Sequence, residues 1–137
     1  MADMGLQNYR DLVVWQTAME LAFQTCHLVK DFPKFEMFGM TSQLRRAATS
    51  VPANIAEGYG RHHRGDYLRF LSIARGSLCE TETFLILAGR LEYAKRESLQ
   101  PLWALCQSTG KMLFQLVRSL SPTTPTASTD AIKTKPR

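Results

Sequence analysis

The stretch SVPANIAEGYGRHHRGDY, residues 50–67, gathers two of the chain's three histidines with arginines, acids and an amide that could do chemistry. It carries Asn54, Glu57, Arg61, His62, His63 and Arg64, with glycines at 58, 60 and 65. Four chemistries are worth weighing. A phosphate loop needs the order GxxxxGK[ST] after a strand, and EGYGRHHRG has neither. A metal site needs ligands that converge. Adjacent histidines on a helix point about 100° apart, and no carboxylate or cysteine follows at i+3 or i+4 to complete a set with His62 and His63. Acid–base catalysis would fall to Glu57 and His62, yet nothing in the spacing orients one toward the other. The fourth chemistry is anion binding. Arg61, Arg64, Arg69 and Arg75 stand against Asp66 alone over fifteen residues, a net of +3. A basic cluster at a helix junction can hold a phosphate backbone. A plain solvated helix end carries the same residues, and both readings stay open.

A second constellation precedes the first. On a helical wheel Gln43, Arg46, Ser50, Asn54, Glu57 and Arg61 fall within one sector of about 80°. Gln, Ser and Asn are short and neutral, and Ser and Asn are mediocre helix formers. This reads as a polar seam packed on another helix or subunit, with solvent exposure as the alternative. A turn near His63 brings Arg46 level with Glu80 and Glu57 level with Arg69. Arg45 and Arg46 are therefore expected to be held by carboxylates, since residues 31–60 sum to zero charge. Such pairs specify register more than they stabilise. The seam comprises Gln43, Arg45, Arg46, Ser50, Asn54, Glu57 and Glu80.

The elements that position these residues are helices. No period-2 strand pattern of any length occurs, and apolar residues recur at steps of three and four. Leu12, Trp15, Met19, Ala22, Cys26 and Val29 mark a first helix that stops at Phe32-Pro33, because the residue before proline resists the helical region. Leu44, Ala48, Val51, Ile55 and Tyr59 mark a second, from about Thr41 to Gly60. Pro52 lies inside it, at a cost of about 3 kcal/mol. Burying Val51 and Ile55 returns about 1.5–3 kcal/mol each, so the helix should hold with a kink near Pro52. A third runs from about Asp66, its expected cap, to Leu91. Its apolar face is wide enough to touch more than one neighbour. Ser98 is the expected N-cap of a fourth, with Pro101 in the first turn. Four such helices with short connections predict an all-α, antiparallel up-down four-helix bundle over residues 1–120.

The chain has 137 residues, 45% of them hydrophobic, enough for one domain with a packed core. Lys and Arg number 17 and Asp and Glu 12, a net of +5. Of that, +2 sits in SPTTPTASTDAIKTKPR, residues 121–137, whose Ser, Thr and Pro predict disorder. No apolar run approaches the ~18 residues that span a bilayer, and MADMGLQNYRD is no signal peptide, so no membrane and a cytoplasmic setting are expected. Cys26, Cys79 and Cys106 are too far apart for a disulfide framework or a zinc motif, and are expected to fill the core. No cofactor or metal is expected.

At this point the residues carry a resemblance. YRDLVVWQTAMEL, FPKFEMFGMTSQLRRAATSVPANIAEGYGR and FLSIARGSLCETE resemble the 23S ribosomal RNA intervening-sequence proteins, over about residues 9–120. The same group is similar to accessory proteins of diversity-generating retroelements. Gln43, Arg45, Arg46, Ser50, Asn54, Glu57, Gly58 and Arg61 match the central motif, as do Ala74, Gly76, Ser77 and Glu80; His62 and His63 lie outside it. The resemblance implies a small helical bundle, assembled as a homopentamer, with no catalytic set. It implies RNA or DNA and a protein such as a reverse transcriptase as partners in one branch. The expected function is therefore non-enzymatic nucleic-acid binding by a homo-oligomer, through Arg61, Arg64, Arg69 and Arg75. The alternative is a protein-interaction scaffold or accessory subunit.

Overall fold

The structure, a computed structural model, describes residues 8–121. Four α-helices account for most of them: α1 Val13–Leu28, α2 Met40–Tyr59, α3 Arg64–Arg90 and α4 Arg96–Leu120. Each helix packs on its two neighbours in the cycle α1–α2–α3–α4–α1, the backbones of diagonal helices come no closer than 8 Å between Cα atoms, and the α2–α3 contact is the most extensive. This is the expected four-helix bundle. The expected tail, apart from Ser121, lies outside the described residues.

The helix starts differ from the expectations in instructive ways. α1 is preceded by a short 3-10 turn, Tyr9–Asp11, closed by Asn8 and Asp11, each accepting from the other end's backbone. The edge of Tyr9 then meets Trp15, with ring centroids 5.3 Å apart. α3 begins at Arg64 rather than at a cap on Asp66. Asp66 sits inside the first turn instead, where its carboxylate meets the positive end of the helix. α4 begins at Arg96, not after Ser98, because extended Lys95 already accepts from the amides of Ser98 and Leu99 at 3.0 and 3.1 Å. Pro101 therefore lies within the helix, on an exposed position where the carbonyl it leaves unbonded can reach water. α2 continues unbroken across Pro52, which is buried beside Val51 and Ile55.

The core is built from Leu21, Leu44, Val51, Ile55, Leu71 and Leu113, all essentially inaccessible. On α3 the stripe Leu71, Ala74, Leu78, Thr81, Leu85 and Ala88 is buried, while Phe70, Ser77 and Phe84 beside it are half-buried. This is the two-sided face its sequence predicted. Close approach of α2 and α3 is enforced at Gly58. A Cβ there would stand 2.9 Å from Phe70 Cβ and 3.0 Å from the Tyr67 ring.

The cysteines divide. Cys106 is fully buried, and burial, reinforced by Glu82, pushes its thiol up to about 12. Cys26 is half-buried, but Cys79 is exposed, against expectation. Cys79 follows core residue Leu78 by one position, about 100° round the helix, and so leaves the buried stripe.

Candidate functional site: the α2–α3 tip

The turn between α2 and α3 sets the geometry of the arginines. Arg61, His62, His63 and Arg64 are all exposed there. Arg61 donates to Glu57 Oε2 at 2.6 Å, one helical turn back. Its guanidinium also lies 4.8 Å from the centroid of the Phe70 ring. Arg69 approaches the same ring, at 4.6 Å. Two arginines from opposite sides of the turn thus share one aromatic platform. Glu57 is consequently not the partner of Arg69: Arg61 reaches it first, and Arg69 goes to Phe70.

Arg64 and Arg75 occupy another side of α3. Eleven residues are close to three whole turns, so these two share one side of α3, about 16 Å apart along its axis, whereas Arg69 lies about 140° away from Arg64. Arg75 joins Arg118 at the rim of a 350 Å³ groove between α3 and α4, floored by Leu71, Leu113 and Val117. Arg118 lies 5.9 Å from the Phe114 ring. The four arginines singled out by sequence are therefore two groups, Arg61 with Arg69 and Arg64 with Arg75. Phe70 and Arg118 were missed. Phe70 falls within the wide apolar face expected of the third helix, and Arg118 is distant in sequence.

The polar seam enters the bundle only at its middle. Ser50 and Ser77 hydroxyls meet at 2.9 Å between α2 and α3, and Asn54 Nδ2 donates to the Ser50 carbonyl and hydroxyl, both at 2.8 Å. All three are half-buried. Gln43, Arg45, Arg46, Glu57 and Glu80 are exposed. The expected pairing of Arg46 with Glu80 does not form, and neither Arg45 nor Arg46 has a carboxylate partner among the described residues. Ser50 faces α3, and Arg46 stands about 40° further from the core, so its side chain runs outward. Turn counting places Gly76 level with Ser50, one residue short of Ser77.

Two apolar grooves flank the bundle. One, of 430 Å³, lies between α1 and α2 and is lined by Trp15, Met19, Phe23, Pro52, Ala53 and Ala56. Phe23 is 60% exposed. The other, of 310 Å³, lies between α3 and α4, with Ile86, Leu99 and Trp103 in its walls. Given the cyclic packing order, the α1–α2 and α3–α4 faces are on opposite sides of the molecule. Among the described residues no three His, Cys, Asp or Glu side chains gather where they could share a metal ion. No helix among them is long and apolar enough to cross a membrane.

Comparison with known proteins adds to this geometry. The chain is similar to a protein of unknown function from the S23 ribosomal protein family of Bacteroides thetaiotaomicron VPI-5482, known from a 1.70 Å crystal structure. The two share 30% identity over 76% of this chain and 97% of that one, with a TM-score of 0.71. No curated protein matches the chain. The sequence profile described as 23S rRNA-intervening sequence protein matches residues 10–115, which span all of α1 to α3 and most of α4. With the bundle, the QLRRAATSVPANIAEG segment on α2 and this match together, the chain belongs to the 23S rRNA-intervening sequence protein family.

Proposed function

We propose that this protein acts without catalysis, as a homo-oligomer of helical bundles that holds nucleic-acid backbone at the α2–α3 tip. The observation that carries this reading is the convergence of Arg61 and Arg69 on Phe70. A guanidinium held against a ring has less freedom left to lose when it meets a phosphate. His62, His63 and Arg64 stand exposed in the same turn, and Arg64 and Arg75 carry further positive charge on another side of α3.

One bundle offers few phosphate contacts, so this reading needs several copies. The unlike apolar grooves on opposite sides of the bundle support it. A contact between two different faces is head-to-tail, and it closes into a ring when the rotation permits. The resemblance implies five subunits. A cytoplasmic setting belongs to the same reading. A second reading draws on a different surface, the exposed apolar loop before α2: an interaction scaffold, or an accessory subunit for a nucleic-acid enzyme such as a reverse transcriptase.

A gel-shift titration of RNA and DNA across a salt series tests the first reading. The intact oligomer should bind, with log affinity falling steeply against log salt. Replacing Arg61, Arg64 and Arg69 together by Gln should weaken binding and flatten that slope by about three phosphate contacts. Absence of binding, or an unchanged slope in the triple variant, rejects the site.

A further inference from the structure

The surface at the opposite end of α2 has no part in the tip. Between α1 and α2 the chain turns through residues 32–39, and there Phe35 is 79%, Met37 54% and Phe38 92% exposed. Met37 and Phe38 form one wall of a 420 Å³ groove whose other walls are Thr41, Ser42, Arg45, Arg46 and Thr49. Both guanidiniums are exposed and without a carboxylate partner among the described residues.

This exposure is imposed by the fold. Glu36 accepts from the Met40 amide at 2.9 Å, which tethers the start of α2, and from the Tyr93 hydroxyl at 2.8 Å, which ties the loop to the α3–α4 connection. The edge of the Phe35 ring meets Tyr93, and Phe32 packs on the same ring from the core side. Gly39 passes so close that a Cβ would stand 2.7 Å from Glu36 Oε1. Glu36 is the nearest carboxylate in sequence to Arg45, and these two bonds lower its pKa from the ordinary carboxylate value without touching either arginine. The loop is therefore fixed before anything binds, so little ordering entropy is lost on binding.

We propose that the groove formed by Met37, Phe38, Arg45 and Arg46 docks a protein segment that places carboxylates next to large apolar side chains. Aromatic residues, Met and Arg are the types enriched at the centres of protein interfaces, and Lys and Glu are depleted there. This groove has Phe38, Met37 and both arginines, and its one residue of a type depleted at such centres is Ser42. Methionine adapts its shape to a partner's side chains. The two unpaired guanidiniums favour a negatively charged partner, and a forked guanidinium matches a carboxylate in two parallel bonds. A nucleotide would satisfy the arginines and stack on one ring, but it would leave the remaining apolar side chains uncovered.

Fluorescence anisotropy on the full chain tests this. The probe is a short labelled peptide alternating Glu with Leu and Phe; a poly-Glu peptide and an oligouridine are the comparators. The mixed peptide should bind. Arg45→Gln with Arg46→Gln, and separately Phe38→Ser, should each weaken it by about tenfold or more. The Arg61, Arg64 and Arg69 triple Gln variant should leave it unchanged, which separates this site from the tip. All these side chains are exposed, so the variants should keep their helical circular dichroism. Equal binding of poly-Glu, preference for oligouridine, or no binding of the mixed peptide each overturns the proposal. So does loss of the homo-oligomer on Phe38→Ser in light scattering, since the occupant would then be a second copy of this chain.

Discussion

Three buried threonines show how finely individual residues are tuned. Thr81 and Thr109 return their hydroxyl hydrogens to carbonyls one turn back, Ser77 and Leu105, at 2.8 and 2.7 Å. Thr25 on α1 is equally buried, yet its Oγ1 has no partner among the described residues. An unmet buried hydroxyl costs about 1–3 kcal/mol. Thr25→Val keeps the shape and removes that cost, so it should stabilise the protein by about 1 kcal/mol, measured by urea unfolding. Destabilisation would mean that the hydroxyl has a partner, such as a bound water. At this scale the sequence was a partial guide. It placed Ser50 and Asn54 on a seam that the structure half-buries, and it placed Cys79 in a core that the structure does not extend to it. A residue type gives a preference for burial, but one helical step of about 100° outweighs that preference.

Among the elements, α2 carries the most information. Its outer side holds Arg45 and Arg46 at one end, its inner side holds Ser50 and Asn54 at the middle, and Gly58 closes it on α3. Gly58→Ala tests that closure. Alanine favours the helix by about 1 kcal/mol over glycine. The added Cβ meets Phe70 Cβ and the Tyr67 backbone carbonyl, at 2.9 and 3.2 Å, and neither is the free end of a flexible side chain. Overpacking of this kind costs about 1–3 kcal/mol. Thermal unfolding should therefore show a net loss, and it should disturb the Phe70 platform that holds Arg61 and Arg69. A higher melting temperature would mean that α2 and α3 separate easily. The helix starts show the limits of capping rules. Asp66 and Ser98 look like caps, but α3 and α4 begin two residues before each of them. A backbone already extended at His63 and Lys95 can start a helix without a side-chain cap.

At the scale of the molecule, two of the exposed apolar patches among the described residues lie on unlike faces. Phe23 and Met19 border the α1–α2 groove, and Ile86 and Trp103 border the α3–α4 groove. If these faces meet between copies, Phe23→Glu and Ile86→Glu should each lower the mass measured by light scattering. Because each variant damages a different half of the same contact, mixing the two should restore one undamaged contact and give dimers. Two variants that remain at the parent mass would show that these faces are not the interface.

The sequence alone determined that this chain is helical throughout its core, that four helices pack in a ring of neighbours, and where Pro52 and the 60–63 turn lie. Those features follow from local rules, since helical period and backbone restriction act over a few residues. Tertiary structure alone decided which charges meet. Arg61 chose Glu57 and Phe70, Arg69 chose Phe70, Arg75 moved to the α4 side with Arg118, and Arg45 and Arg46 were left open beside Phe38. A long flexible side chain can reach several partners of similar energy. The choice among them depends on the rotation of each helix about its axis, which is fixed only when the neighbouring helices pack against it.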